Sequence, residues 1–499
     1  MQQELIRRKR EIINTFLKKG VLITAELLNE INDDTQASRI FDILKTKKDE
    51  DLAVAGIDLN VILQHPKEEV AETKPQQKQN QNIKIISSYK EEPKKRDPQD
   101  FCDYFNNRYK AIEKILKQRM ELKGTVSISK IANKPEKEKI SIIGIVSDKN
   151  ITKNGNLLLT LEDPTGRRRV LVNKNKPALF NEAKDIVLDE VIGVAGVNVD
   201  TLIFANSIIW PDVPTTKELK KSAEEKYAVF LSDLHVGSSK FLPDDFEKFL
   251  KWINGEAGSE QQRSIAKDVD YIFIAGDLVD GCGIYPEQDK ELDIKDIYDQ
   301  YAECARLLKQ IPSHIPLIIC PGNHDALRIS EPQPLLSKNY AKALYELSNV
   351  IMVSNPSLIN INSTENFEGF DVMMYHGYSF DHFVAEVDSL RNQGGYDRAD
   401  LIMKFLLKRR HLAPTHTSTL YIPDANRDPL VIERVPDFFL SGHIHKSVTA
   451  NYKNTTLICG SCWQGKTAFQ EKVGHNPEPS RVPVVNLKTR DVKILKFGQ

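Results

Sequence analysis

Five times between Tyr227 and His445, a short apolar run that reads as a buried strand ends in residues able to hold a metal ion. Tyr227 to Leu231 runs into Ser232, Asp233, Leu234, His235, and Tyr271 to Ala275 runs into Gly276, Asp277, Leu278, Val279, Asp280. Pro316 to Cys320 leads to Gly322, Asn323, His324, Asp325; Asp371 to Tyr375 stops at His376 and Gly377; Phe438 to Leu440 stops at Ser441, Gly442, His443, Ile444, His445. Such runs suit the buried parallel strands of an open α/β sheet, whose following loops gather at one crevice. Strand followed by ligand, repeated, is a site architecture.

The donor set narrows the ion. Asp, Asn and His together suit manganese, zinc or iron, whereas calcium takes nearly all oxygen and thiolate clusters need cysteine. Gly276, Gly322, Gly377 and Gly442 fit turns in which the backbone bends beside a ligand. Singly, each piece reads equally as a turn or a cap; in combination they point to one centre.

These motifs resemble the calcineurin-like metallophosphoesterase superfamily, whose ordered signatures are D-x-H, G-D-x-x-D, G-N-H-D/E, a lone His and G-H-x-H. The resemblance implies that Asp233, His235 and His445 hold one divalent cation, that Asn323, His376 and His443 hold a second, and that Asp277 bridges both. It implies two divalent metal ions, manganese first and iron or zinc as substitutes. His324 would stay free of metal as the catalytic acid or transition-state stabiliser, with Asp325 as a candidate to orient it. Departures select the branch. Ser232, Gly281 and Asp325 stand where the serine/threonine phosphatases carry Gly, Arg and Glu. The motifs are closer to the nuclease branch, which includes repair nucleases and the small subunits of the archaeal D-family DNA polymerases.

The 499 residues, 40% hydrophobic, are enough for two to four domains, and no apolar stretch approaches the roughly 20 residues of a membrane span. Met1 to Arg10 is charged, unlike a secretory leader, and the cysteines are too sparse for a disulfide framework. A cytoplasmic protein is expected. Cys459 and Cys462 form a lone C-x-x-C, read as a strand edge beside the site rather than a zinc knuckle. The net charge of -1 excludes a global field for nucleic acid, so any grip on DNA must be local. The candidates are Arg167, Arg168, Arg169 and Lys408, Arg409, Arg410, with Lys94, Lys95, Arg96 upstream; each cluster reads either as phosphate contact or as a solvated face.

Upstream of the motifs the pattern divides. Residues 1–55 read as a small helical module and 56–98 as a disordered linker, polar and rich in Gln, Asn, Lys and Glu. Residues 99–215 open with an amphipathic helix carrying Phe101, Tyr104, Phe105, Tyr109, Ile112, Ile115 and Leu116. Strands are then expected over Ile140 to Val146, Leu157 to Leu161, Arg169 to Val172, Val187 to Val194 and Leu202 to Ile209, a small all-β barrel of the OB type. With Phe204 and Trp210 as its chief aromatics, that barrel could equally bind DNA or dock a partner. Residues 216–499 complete a multidomain chain as an α/β phosphoesterase sandwich.

A helical module, tether, OB-like barrel and phosphoesterase in this order are similar to the D-family small-subunit family along essentially the whole chain. That resemblance implies a 3′ to 5′ exonuclease that proofreads single-stranded or frayed primer-template ends for a separate large catalytic subunit. Related eukaryotic B subunits have lost the ligands and act as scaffolds. A non-catalytic scaffold and an independent metallophosphatase are the alternatives.

Overall fold

A computed structural model of the chain describes residues 82–90, 94–472 and 474–498, all within the compact unit Gln79–Gln499. The helical module expected over 1–55, and the linker as far as residue 81, lie outside the described residues.

Two six-stranded sheets face each other. The first runs β10-β9-β8-β7-β16-β17, built from Tyr227–Leu231 (β7), Val269–Ala275 (β8), Leu317–Cys320 (β9), Val350–Met352 (β10), Arg481–Asn486 (β16) and Val492–Lys496 (β17). The second runs β1-β11-β12-β13-β15-β14, from Ile83–Ser88 (β1), Ser357–Ile361 (β11), Phe370–Met374 (β12), Phe438–Ser441 (β13), Val448–Tyr452 (β14) and Thr455–Cys459 (β15). Strands β7, β8, β9 and β10 pair in parallel, as do β12, β13 and β15. The five expected strands are therefore present, each within two residues of its expected ends.

Alternation explains why they are apolar throughout. Ala228, Phe230, Tyr271 and Phe273 point into the space between the sheets, where they meet Ile359, Phe370, Val372, Phe438 and Leu440. The Phe230 ring stacks on Phe273 at 5.3 Å and reaches Phe438 of the opposite sheet at 5.9 Å. The intervening Val229, Leu231, Ile272 and Ile274 face outward onto helices Pro243–Ile253 and Ile297–Leu308. The second sheet is covered in turn by helices Phe380–Glu386 and Ala399–Arg409 through Phe383, Ile402, Met403 and Leu406. A strand buried on both faces cannot alternate polar residues, hence the continuous apolar runs. Truncating a ring such as Phe230 would cost about 3–5 kcal/mol.

Ahead of the sandwich lies a closed five-stranded barrel, β2-β3-β4-β6-β5, from Lys139–Ile151 (β2), Leu157–Asp163 (β3), Gly166–Val172 (β4), Val191–Val199 (β5) and Leu202–Ile209 (β6). Its β3–β4 turn is held by Asp163, whose carboxylate accepts from the Thr165 N–H at 2.7 Å. The fourth strand begins at Val191 rather than Val187, the backbone turning at Asp189, whose φ is 64°. Helix α1, Pro98–Leu116, forms as expected behind an Asp97 capping box. Its Tyr109, Ile112 and Leu116 pack on Ile143, Val191 and Ile209 of the barrel, while Tyr104 joins the helical layer of the sandwich.

One expectation is overturned. Ile83–Ser88, placed in a disordered linker, is an antiparallel edge strand on β11, from Ile83 opposite Ile361 to Ser88 opposite Ser357. The segment Ile83 to Ile86 is too short to fold alone, but an exposed sheet edge supplies its hydrogen-bond partners.

Candidate metal centre

The loops after β7, β8, β9, β12 and β13 bring Asp233, His235, Asp277, Asn323, His376, His443 and His445 to one end of the sandwich. His235 Nε2 lies 3.0 Å from His445 Nε2, and His445 Nε2 lies 3.4 Å from Asp233 Oδ1. Asn323 Oδ1 lies 3.0 Å from His376 Nε2 and 2.9 Å from His443 Nδ1. Asp277 Oδ2 faces both groups, at 3.8 Å from His235 Nε2 and 3.3 Å from His376 Nε2. Two donor sets sharing one carboxylate oxygen are the arrangement a pair of cations requires. The residues present fit such a group: Asp, Asn and His are the donors a transition ion takes, and their oxygens and nitrogens converge on one another at 2.9 to 3.8 Å.

The backbone is bent to achieve this. Asp233, His235, Asp277, His443 and His445 all have positive φ, between 50° and 71°. Such a conformation is uncommon outside glycine and collects at functional sites, where surrounding structure holds the strain. Here the holders are interlocking bonds: Asp233 N–H donates to Gly276 O, His235 N–H to Asp277 O, and His443 N–H to the Asp233 carboxylate at 3.0 Å. Gly322 and Gly442 are needed for space. A Cβ on Gly322 would meet Asp277 Oδ1 at 2.2 Å, and one on Gly442 would meet Asp233 Oδ2 at 2.3 Å.

Each imidazole is oriented from behind. His235 Nδ1 meets Asp280 Oδ1 at 3.1 Å, His376 Nδ1 meets Ala275 O at 2.7 Å, and His443 Nε2 meets Asp381 Oδ2 at 3.0 Å. Asp280 also accepts from Gln464 and Gln288, so its ring partner is fixed in one pose. Asp280 is in the sequence motif, but its task was not read from it. Asp381, Gln288 and Gln464 carry no sequence signal, since they arrive from distant loops.

Electrostatics follow from crowding. Burial opposes charge on Asp277, yet His376, His324 and His235 outweigh it and hold the carboxyl well below its usual range. Burial likewise opposes protonation of His376, but Asp277 and Asp233 raise it to about 10. The field that draws a proton onto His376 attracts a divalent cation more strongly.

His324 stands at the edge of the first donor set, its ring 4.6 Å from that of His235. Its Nδ1 meets the Asp280 main-chain oxygen at 2.7 Å, which fixes the Nδ1–H tautomer and leaves Nε2 for a reacting group. Burial lowers its pKa. Asp325 does not orient it, contrary to expectation. The Asp325 carboxylate accepts from Gly322 N–H at 2.8 Å and Tyr301 O–H at 3.0 Å, and burial pushes it up to about 7. It braces the loop, tying Gly322 to Tyr301 and accepting from the Leu278 N–H as well.

The basic clusters resolve differently from the metal centre. Arg409 and Arg410 are buried: Arg409 pairs with Glu190, while Arg410 donates to the main-chain oxygens of Ile432 and Glu433. Lys408 pairs with Glu182 at 2.6 Å and sits over the Trp210 ring at 3.8 Å. That cluster stitches barrel to sandwich and offers no phosphate grip, and Trp210 is buried beneath it. Arg168 is tied to Asn198 and Asp200, Arg169 donates to Thr201, and the exposed Arg167 pairs with Glu162. Upstream, Lys94 pairs with Asp100. Cys459 and Cys462 are buried free thiols. Among the described residues, no helix is long and apolar enough to cross a membrane.

Comparison with known proteins agrees with this architecture. Residues 228–449 match the family of DNA polymerase alpha/epsilon B subunits. A DNA polymerase II small subunit of Methanothermobacter thermautotrophicus is 42% identical over 400 residues, 80% of this chain and 79% of its own. Those of Methanocaldococcus jannaschii and Pyrococcus furiosus are 39% and 38% identical over 78% and 80% of this chain, and the match spans 64% of each of them. On that identity and coverage, the chain belongs to the family of archaeal DNA polymerase II small subunits.

Proposed function

We propose that this chain is a two-metal-dependent 3′ to 5′ exonuclease that trims single-stranded or frayed DNA ends, and that it works as partner to a large polymerase subunit. The observation that carries the reading is the convergence of the complete donor set, Asp233, His235, Asp277, Asn323, His376, His443 and His445, five of them with backbones held in the left-handed region. A scaffold alone has no use for such strain. The sandwich is assigned to the calcineurin-like phosphoesterase fold and the barrel, with its β4–β6 parallel pair, to the OB fold.

Two divalent cations, manganese first and iron or zinc as substitutes, would supply an acidified water and neutralise charge on the phosphate oxygens. Asp233, His235 and His445 would hold one, Asn323, His376 and His443 the other, with Asp277 between. The remaining work is the protein's. Asp280, Ala275 O and Asp381 keep the imidazoles aimed, and His324 presents Nε2 to the scissile phosphodiester. Once it has taken up a second proton at that atom, Nδ1 holding the first, the imidazolium can donate to the departing 3′ oxygen, a contribution typically worth about 10² to 10⁴ in rate.

The test exposes the metal-stripped protein to 5′-end-labelled single-stranded DNA with and without manganese, beside His324→Ala. Shortening one nucleotide at a time from the 3′ end, needing manganese and His324 while His324→Ala keeps its metal content, is the expected result. Intact DNA in every lane, with the large subunit also present, would leave the scaffold reading. Turnover of phosphomonoesters in its place would favour an independent phosphatase.

A further inference from the structure

The rim of the crevice carries an aromatic pair that the hydrolytic machinery does not use. Phe469, on the short helix Ala468–Lys472, is 47% exposed, and its ring stacks on Tyr285 at 5.6 Å with planes 25° apart. The two rings come from segments far apart in sequence and are fastened by one carboxylate. Glu291 Oε2 accepts from the Tyr285 hydroxyl at 3.0 Å, and its Oε1 accepts from the Ala468 N–H at 3.1 Å. The pair is also tied to the metal centre on two sides. Tyr285 lies 6.5 Å from the His324 ring, and Gln470, next to Phe469, meets His445 Nδ1 at 2.9 Å.

A single exposed phenylalanine needs no explanation. A stacked pair held in fixed pose beside a hydrolytic histidine is a platform of the kind on which single-stranded bases stack. We propose that Tyr285 and Phe469 seat one unpaired base of the DNA strand, placing its phosphodiester against His324; this deepens the nuclease reading and rests on it. A base within a duplex already has both faces stacked and cannot occupy the platform. Selection for frayed ends then resides in these two side chains.

The test places the fluorescent base 2-aminopurine at the 3′ end of a single strand and adds His324→Ala protein under chelation, so that the DNA survives. Quenching on binding is expected, with affinity lowered about tenfold or more by adding Phe469→Ala and restored by Phe469→Tyr. Alongside, the KM of otherwise unaltered protein for single-stranded DNA should rise by a similar factor in Phe469→Ala and recover in Phe469→Tyr. Full quenching and unchanged KM in both Phe469→Ala and Tyr285→Ala would overturn the platform while leaving the nuclease standing. Conversely, Phe469-dependent quenching by a protein that never cuts DNA would support the platform and remove the nuclease.

Discussion

Two of the buried charged clusters among the described residues differ in whether their charge pairing is complete. Beneath α1, Arg108 donates through Nε to Asp428 at 2.7 Å and through Nη1 to Pro414 O at 2.6 Å, with its guanidinium 4.8 Å from the Phe105 ring. His411 Nε2 sits 2.8 Å from the same carboxylate, while the Ala413 N–H donates to His411 Nδ1, so the ring is neutral and a donor at Nε2. There the charges are paired, Arg108 with Asp428, although Arg108 Nη2 is buried without a partner. At the metal centre, nitrogen faces nitrogen between His235 and His445, and one amide oxygen faces two imidazoles. A cluster of paired charges joins elements; one whose Asp, Asn and His donors converge on each other is of the kind that could hold a cation.

The largest effect should come from breaking the incomplete cluster. Asp277→Ala is expected to lower exonuclease rate by about a thousandfold or more, since it removes the carboxylate shared by both donor sets. Metal analysis should show a loss of bound ion in the same protein, and retained metal with full rate would contradict the bridging role. Next, Asp428→Ala strands Arg108 as a buried, unpaired cation, at a cost of about 3–5 kcal/mol in chemical denaturation. Its metal content per folded molecule should not change, which sharpens the contrast.

Acid should act on the complete cluster as well. Burial holds His411 down at about 4, against about 6.5 for an unfolded histidine. The unfolded chain therefore takes up a proton that the folded chain refuses. This contribution is whole above pH 6.5, declines as pH falls towards 4 and changes no further below, a loss of at most about 3 kcal/mol. Asp428, whose carboxyl is held low despite burial by His411 and Arg108, adds a loss of the same sign at still lower pH. Denaturation midpoints that stay flat between pH 7 and 4.5 would show that His411 is not neutral in the fold.

A subtler change loosens the metal centre from behind. Asp280→Asn keeps the shape but weakens the hold on His235 Nδ1, and metal affinity should fall about 10–100-fold by titration. Smallest of all, Arg167→Ala removes an exposed pair with Glu162 and should move stability by less than about 0.5 kcal/mol. A large drop in DNA affinity from that change would return this cluster to the nucleic-acid surface.

The loops that carry the candidate metal donors were legible because a buried parallel strand and its terminal donors lie within a few residues of one another. Local pattern alone locates Tyr227–Leu231 and the Asp233, His235 that follow it. The barrel was legible for the same reason, its turn residues Asp163 and Gly166 lying between alternating runs. Long-range burial was not. Lys408, Arg409 and Arg410 look like any basic patch in sequence, yet tertiary packing inserts Arg409 against Glu190 and Arg410 under Ile432, where they serve cohesion. Only the assembled sheets turn Ile83–Ser88 into a strand, since its partner β11 lies more than two hundred residues downstream. The chain's own pattern determined which residues could bind metal; the tertiary structure decided which charges are spent on one another, because pairing depends on distance in space and the sequence records only distance along the chain.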